Sequence, residues 1–263
     1  MAHTSLVILG SGYTARHLLS LASRRYTHVF ATSRQPGKNL PDVPIDQRIR
    51  FDLERPDTWK TIPEQADLLW CFPATPLDLV QKFSATLDPP TRRIVVLGST
   101  SAYDIGHSTE YPPPWIDETA PIDLTKPRVQ GEEFLRTNCG AIVLRVAGIY
   151  GPNRNPLDWI NKGRVGPSRK YVNLIHVDDL ATICLAALRH GKPGETYNVS
   201  DGTPRTWKEI YDHIAPSSGL TPLTANADQQ TGKRISTRKL KDALGPSIHH
   251  PDLYAEAVKL EKE

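Results

Sequence analysis

The sequence predicts an α/β protein: a doubly wound parallel sheet with helices on both faces and a small interleaved C-terminal portion facing substrate. Short β-rich apolar runs at 6–9, 28–32, 68–72, 94–97, 141–146 and 197–199 alternate with helix-like segments. That is the pattern of parallel strands joined by crossover helices. The run Arg93-Ile-Val-Val-Leu is almost wholly apolar, as a strand covered on both faces must be. The first run leads straight into Gly10-x-Gly12-x-x-Ala15 and a helix-like segment from near Ala15, which narrows the prediction to a Rossmann fold.

Each part of that glycine loop has a physical use. Gly10 makes the tight turn off the strand, and the bare backbone at Gly12 admits a pyrophosphate. Ala15 is small enough for helix and strand to pack closely. Ser11, Tyr13 and Thr14 complete a loop whose helix N-terminus offers free N–H groups and a positive dipole end to an anion.

The second strand, from His28, ends in Ser33-Arg34. An NAD site commonly carries an acid about 20 residues past the glycines. Here a hydroxyl and a guanidinium stand in its place, and they would hold a 2′-phosphate that a carboxylate would repel. The expected cofactor is therefore NADP, as NADPH, with NAD as the alternative; otherwise Arg34 is a surface loop residue. Asp52-Leu53 follows a third strand at Ile49-Arg-Phe. Asp52 is expected to accept from the adenine amino group, to cap a helix around 56–60, or both. Prolines at 73 and 76, 89–90 and 112–114 mark loops. The first of these, with Phe72 and Pro73, lies at a strand's carboxyl end, where doubly wound folds bind ligands.

Composition bounds the partners. The 263 residues carry 32 basic and 29 acidic side chains, a net charge of +3, and no basic block that argues for nucleic acid. The densest basic run, 233–241, reads as a solvated helix face. No apolar run reaches the roughly 20 residues of a membrane span, so the expectation is no membrane partner and a cytoplasmic location. Cys71, Cys139 and Cys184 lie far apart in apolar contexts and read as reduced structural thiols. The His, Cys and Asp residues show no metal-ligand spacing, so no metal site is expected.

Four further blocks carry a resemblance. They are Ile94-Val-Val-Leu-Gly-Ser99-Thr-Ser-Ala-Tyr103, Leu144-Arg145-Val-Ala-Gly-Ile-Tyr150-Gly151-Pro152, Asn173-Leu-Ile-His176-Val-Asp178-Asp179-Leu and Tyr197-Asn198-Val-Ser-Asp201. In this order and spacing they resemble the extended short-chain dehydrogenase/reductase family, the NAD(P)-dependent epimerase/dehydratase group. The form of the glycine loop is similar to its atypical members. The resemblance implies a 1–150 dinucleotide-binding domain completed by about 172–195, with 151–171 and 196–263 forming the smaller substrate-binding portion. It also implies that Ser99, four residues before Tyr103, polarises a substrate carbonyl or hydroxyl, with Thr100 as a neighbour able to share the role. A turn-forming role is the alternative for this Ser-Thr-Ser.

The family's Tyr-x-x-x-Lys is missing. Aligning Glu132 with the family's downstream glutamate puts Leu124 at the tyrosine position and Arg128 at the lysine position, where Arg128 would hold the cofactor ribose. Tyr103, Tyr111, Tyr150 and His176 are the candidate replacements. By the resemblance Tyr103 and Tyr150 line the substrate pocket, and His176 reads as a structural hydrogen-bonder beside an Asp179 that caps the next helix. Arg154 and Arg234 would suit an anionic substrate, and Leu124–Leu135 would supply the face of a homodimer. The expected function is an NADP(H)-dependent oxidoreductase or epimerase-like enzyme acting on a carbonyl or secondary alcohol of a small-molecule substrate. The alternatives are a non-catalytic dinucleotide-binding sensor or scaffold, and a flavin- or NADPH-binding reductase that takes protons from water.

Overall fold

A computed structural model describes residues 5–87, 93–106, 108–218, 231–245 and 248–261. Along the chain run β1 (Ser5–Leu9), α1 (Tyr13–Ala22), β2 (His28–Ser33), α2 (Pro36–Asn39), β3 (Arg48–Arg50), β4 (Asp67–Trp70), α3 (Leu77–Ser84) and β5 (Ile94–Ser99). Then follow β6 (Trp115–Ile116), α4 (Pro127–Cys139), β7 (Ile142–Val146), β8 (Gly148–Tyr150), α5 (Pro156–Asn161), β9 (Tyr171–Val172), β10 (Leu174–His176) and α6 (Val177–His190). The chain closes with β11 (Thr196–Val199), β12 (Arg205–Thr206), α7 (Trp207–Ser218), β13 (Arg234–Ile235), α8 (Arg238–Leu244) and α9 (Leu253–Glu261).

Seven strands form one sheet in the order β11-β7-β5-β4-β1-β2-β3, and every pairing is parallel. The fold class is the one the sequence predicts. Alternation along the strands divides the core in two. Leu6 and Ile8 of β1 join Val95, Leu97, Ile142 and Leu144 on the face covered by α1 and α6. Val7 and Leu9 join Leu68, Trp70, Ile94 and Val96 on the face that also receives Val80, Phe83 and Leu135 from α3 and α4. A two-residue period that sends alternate apolar side chains to two covered faces is what makes these runs continuously apolar. The chain order reverses between β1 and β4, which opens a crevice at their carboxyl ends.

A third apolar cluster joins Tyr150, Leu157, Leu174, Ile210, Tyr211, Ile214, Leu253 and Ala257. It holds α5, α7, α9 and the short strands together. Strand β11 belongs to the main sheet, so the sheet runs beyond the boundary expected at 196. Helix α1 starts at Tyr13 rather than near Ala15, and β4 stops before Phe72. The Pro89-Pro90 loop lies outside the described residues. Among the described residues no helix is long and apolar enough to cross a membrane.

Candidate dinucleotide and reaction site

A cavity of about 390 Å³ opens in the crevice, lined by Gly10, Ser11 and Gly12 with Thr32, Ser33, Arg34, Asn39, Phe51, Asp52, Leu53, Glu54, Cys71, Phe72 and Thr75. Its size is that of a small-ligand site. Gly10 has φ +95°, and a Cβ there would sit 3.2 Å from the Phe72 ring, so the tight turn needs glycine. A Cβ at Gly12 would meet nothing within 4 Å; the space beside that backbone is open. The first helical bond of α1 runs from Arg16 N–H to Gly12 O at 3.2 Å. The N–H groups of Tyr13, Thr14 and Ala15 precede it at the helix's positive end. Ala15 itself is buried against the sheet, and Gly10 N–H donates to Thr32 Oγ1 at 2.8 Å, tying the loop to β2.

The far wall is set by β2. Ser33 is buried, and its Oγ accepts from Asn39 Nδ2 at 2.8 Å and from Gln35 N–H at 3.2 Å. Arg34 is exposed beside it. Asn39 is a polar wall residue that sequence reading missed; it arrives on a four-residue helix too short to carry a periodic signal. Asp52 lies on the wall, but it does not cap the following helical turn. The cap position of Pro56–Thr61 is Arg55, while Asp52 Oδ1 accepts from Glu54 N–H at 3.1 Å and Asp52 O accepts from Trp59 Nε1 at 3.1 Å. Burial pushes the Cys71 thiol up to about 12, so it stays protonated. Pro73 is exposed and lies outside the residues that line the cavity.

The predicted reaction residues lie beyond this cavity, around the end of β5. Ser99 is half-buried and caps the short helical turn Thr100–Tyr103, its Oγ accepting from Ser101 N–H at 3.2 Å. Lys233 Nζ donates to Thr100 O at 2.9 Å, and Lys126 Nζ donates to Ser101 O at 2.6 Å. Both lysines are ion-paired with Asp104. At the Tyr-x-x-x-Lys position Leu124 is 56% exposed. The Arg128 guanidinium is committed inward, with Nη2 to Leu97 O at 2.7 Å and Nε to Glu132 Oε1 at 2.8 Å. Gly98 faces that glutamate: a Cβ there would lie 2.7 Å from Glu132 Oε2.

Tyr103 is buried. Its hydroxyl donates to Asn198 Oδ1 at 2.7 Å and accepts from Arg145 Nη1 at 3.0 Å. Burial raises its pKa above the ordinary phenol value. Tyr150 is fully buried in the third cluster, and burial raises its pKa as well. Neither phenol is prepared as an acid near neutrality. His176 is a structural hydrogen-bonder, as expected: it caps α6, with Nδ1 accepting from Asp178 N–H at 3.3 Å. That displaces Asp179 from the capping role; its buried carboxylate takes the His249 and His250 N–H groups at 2.8 and 3.0 Å.

The two arginines expected to share a substrate have different surroundings. The Arg154 guanidinium lies 5.0 Å from the centre of the Tyr13 ring, and the Tyr13 hydroxyl donates to Pro152 O at 2.9 Å. The turn at 151–154 is thus laid against the glycine loop. Arg234 sits on β13, bonded through Nε to Pro113 O at 2.6 Å and 5.0 Å from the centre of the Trp115 ring.

No protein-family model matches the sequence. Protein YeeZ of Escherichia coli (strain K12) is 29% identical over 169 residues, which cover 61% of this chain and 59% of YeeZ. The match therefore spans less than two thirds of that relative. Among solved structures, one named as an NAD-dependent epimerase/dehydratase from Methylobacillus flagellatus aligns at TM-score 0.78 and 24% identity, over 100% of this chain and 98% of the other. A short-chain dehydrogenase/reductase superfamily protein from Agrobacterium tumefaciens with bound NAD aligns at TM-score 0.76 and 15% identity, over 98% and 97%. RMD from Pseudomonas aeruginosa, complexed with NADPH, aligns at TM-score 0.68 and 18% identity, over 98% and 96%. The chain has the fold of these epimerase/dehydratase and short-chain dehydrogenase/reductase proteins.

Proposed function

We propose that the chain is an NADP(H)-dependent oxidoreductase or epimerase-like enzyme of the atypical short-chain dehydrogenase/reductase type, acting on a carbonyl or secondary alcohol. The observation that carries the reading is the cavity at the reversal of strand order. It has an open face at Gly12, a helix N-terminus at one end, and Ser33 with Arg34 at the other.

The residues present fit a dinucleotide. The Tyr13, Thr14 and Ala15 N–H groups would take the pyrophosphate oxygens. Arg34, beside the buried Ser33–Asn39 pair, would hold a 2′-phosphate, and Asp52 and Leu53 would meet the adenine. The nicotinamide supplies a hydride donor or acceptor at the other end of the crevice. There the Ser99 hydroxyl serves as the donor to substrate oxygen. Its Oγ accepts from the Ser101 N–H, which leaves its own proton to donate where negative charge develops.

One observation favours a second reading, a dinucleotide-binding sensor or scaffold. Leu124 stands at the tyrosine position, and Arg128 is turned onto Leu97 O and Glu132.

Calorimetric titration with NADPH and NADH tests the cofactor assignment, and turnover separates the two readings. Arg34→Ala is expected to weaken NADPH by about 1–3 kcal/mol, the worth of a charge-assisted bond, and to leave NADH unchanged. Equal weakening of both nucleotides would remove the 2′-phosphate assignment. Binding of neither by the wild-type protein would end the enzyme reading. Carbonyl turnover abolished by Ser99→Ala favours the enzyme, and binding without turnover over a broad carbonyl panel favours the sensor.

A further inference from the structure

We infer that His176, His250 and Glu256, none of which lines the dinucleotide cavity, form a divalent transition-metal site of the zinc type that fastens the C-terminal helix to the end of β10. The three residues come from separate places: the last residue of β10, the segment before α9, and the first turn of α9. One ligand atom from each lies within 4.8 Å of the others. Ligand bonds of about 2.1 Å in a tetrahedral shell put donor atoms about 3.4 Å apart. Closing from the present spacing therefore takes about an ångström of side-chain adjustment. Sequence spacing gives no hint of the group, because 74 residues separate the two histidines (250 − 176 = 74).

Three features set this cluster apart from ordinary buried histidines. First, the His250 Nδ1 atom is buried and has no hydrogen-bond partner, although Glu256 Oε1 lies 3.2 Å away outside bonding geometry. A buried ring nitrogen left without a hydrogen bond is costly, and a cation between it and the carboxylate would satisfy both.

Second, the two rings lie face to face, centres 3.8 Å apart at 28°, which presents two imidazole edges side by side. Third, Asp178 stands behind them, its Oδ2 at 3.8 Å from His176 Nδ1 and 4.0 Å from His250 Nε2. A carboxylate orients metal-bound histidines through their non-ligating nitrogens at hydrogen-bond distance, so Oδ2 would close by about an ångström on loading while Oδ1 keeps His17 Nδ1 at 2.9 Å. The assignment that follows is His176 Nε2, His250 Nδ1 and a Glu256 oxygen as ligands. On loading, His176 Nδ1 carries the proton and donates it to Asp178, releasing the Asp178 N–H that it now accepts. Two neutral imidazoles and two carboxylates balance the charge of one divalent ion. Two nitrogens and one carboxylate oxygen are a donor set that suits zinc, with water in the fourth position.

Such an ion would bridge segments that the chain also joins through packing in the third apolar cluster and through the Asp179 bonds to His249 and His250 N–H. Its binding energy would appear as stability of the folded form.

The test is a titration of the full metal-stripped chain with Zn²⁺, followed by calorimetry and thermal melting, and with Co²⁺, followed by visible absorption. The expected result is one Zn²⁺ per chain, a rise in Tm, and the absorption of four-coordinate cobalt. Each of His250→Ala and Glu256→Gln should weaken Zn²⁺ at least tenfold and abolish the cobalt band. Asp178→Asn should weaken it 10–100-fold, as loss of an outer-shell carboxylate does. His213→Ala, on a histidine outside the group that stacks on Tyr254, should leave Zn²⁺ affinity and the cobalt band unchanged. Circular dichroism of the metal-free variants separates loss of the site from loss of folding. Absence of the cobalt band in the wild-type protein, or Zn²⁺ affinity unchanged by His250→Ala and Glu256→Gln, would overturn the assignment.

Discussion

The two ends of the crevice are built differently. At the nucleotide end the backbone supplies a glycine turn and the first N–H groups of α1, with a wall that includes Ser33, Arg34, Phe51 and Phe72. At the β5 end several polar side chains are engaged with their neighbours. Ser99 caps a turn, Arg128 holds Leu97 O and Glu132, and Tyr103 is locked between Asn198 and Arg145. An end made of backbone keeps its geometry through many side-chain changes. An end made of interlocked side chains takes its properties from each of them.

The sharpest break is Gly12→Val. A Cβ at Gly12 meets nothing within 4 Å, so the variant should melt like the wild-type protein yet fail to bind NADPH in calorimetry. Unaltered binding would place the pyrophosphate elsewhere. Next comes Gly131→Ala on α4, whose Cβ would lie 1.8 Å from Ala74 O. The helix or the loop beside the cavity must move, at a cost of about 1–3 kcal/mol by chemical denaturation, with NADPH affinity lowered through Thr75.

A smaller effect concerns Glu132, which is buried so that its carboxyl pKa is raised above the ordinary 4.5, against the pull of Arg128. The folded state then holds the proton more tightly than the unfolded chain. That contribution is fully present below pH 4.5 and is lost as pH rises through the raised value. Glu132→Gln should accordingly lose less stability than the wild-type protein between pH 4 and 7, read from melts across that range. Identical slopes would mean that folding leaves the Glu132 pKa unchanged. The smallest is Leu124→Tyr, an exposed change that should move stability by no more than about 0.5 kcal/mol. Carbonyl turnover gained by the Leu124→Tyr, Arg128→Lys pair would show that the β5 end lacks only its acid.

The sheet was legible because its strands are covered on both faces and so read as apolar runs. The glycine loop was legible because its backbone needs specific residues at fixed spacing. Wall residues were less so. Thr32, Asn39, Phe51, Glu54, Cys71 and Thr75 reach the cavity from strand ends, loops and the short helix α2, and nothing periodic marks them. Tyr150 looked like a pocket residue from its place before Gly151-Pro152, but tertiary packing with α5, α7 and α9 draws it into a core. Helix caps also escaped. The choice of His176 over Asp179 depends on how the segment at 249–250 claims the Asp179 carboxylate, a contact 70 residues away in sequence.

The buried polar chain behind Ser99 acts as a register gauge. Arg145 on β7 stands opposite Asn198 on β11. Between them run bonds from Arg145 to Tyr103 and Glu133, from Tyr103 to Asn198, and from Asn198 N–H to Glu118 Oε1. A slip of one residue between those strands would turn one of the pair to the opposite face of the sheet. A guanidinium would then lie buried without its carboxylate. Apolar neighbours such as Leu144 and Tyr197 would tolerate such a slip far better. The polar chain therefore selects one strand alignment from several of similar hydrophobic content, and single substitutions within it should loosen alignment before they lower compactness.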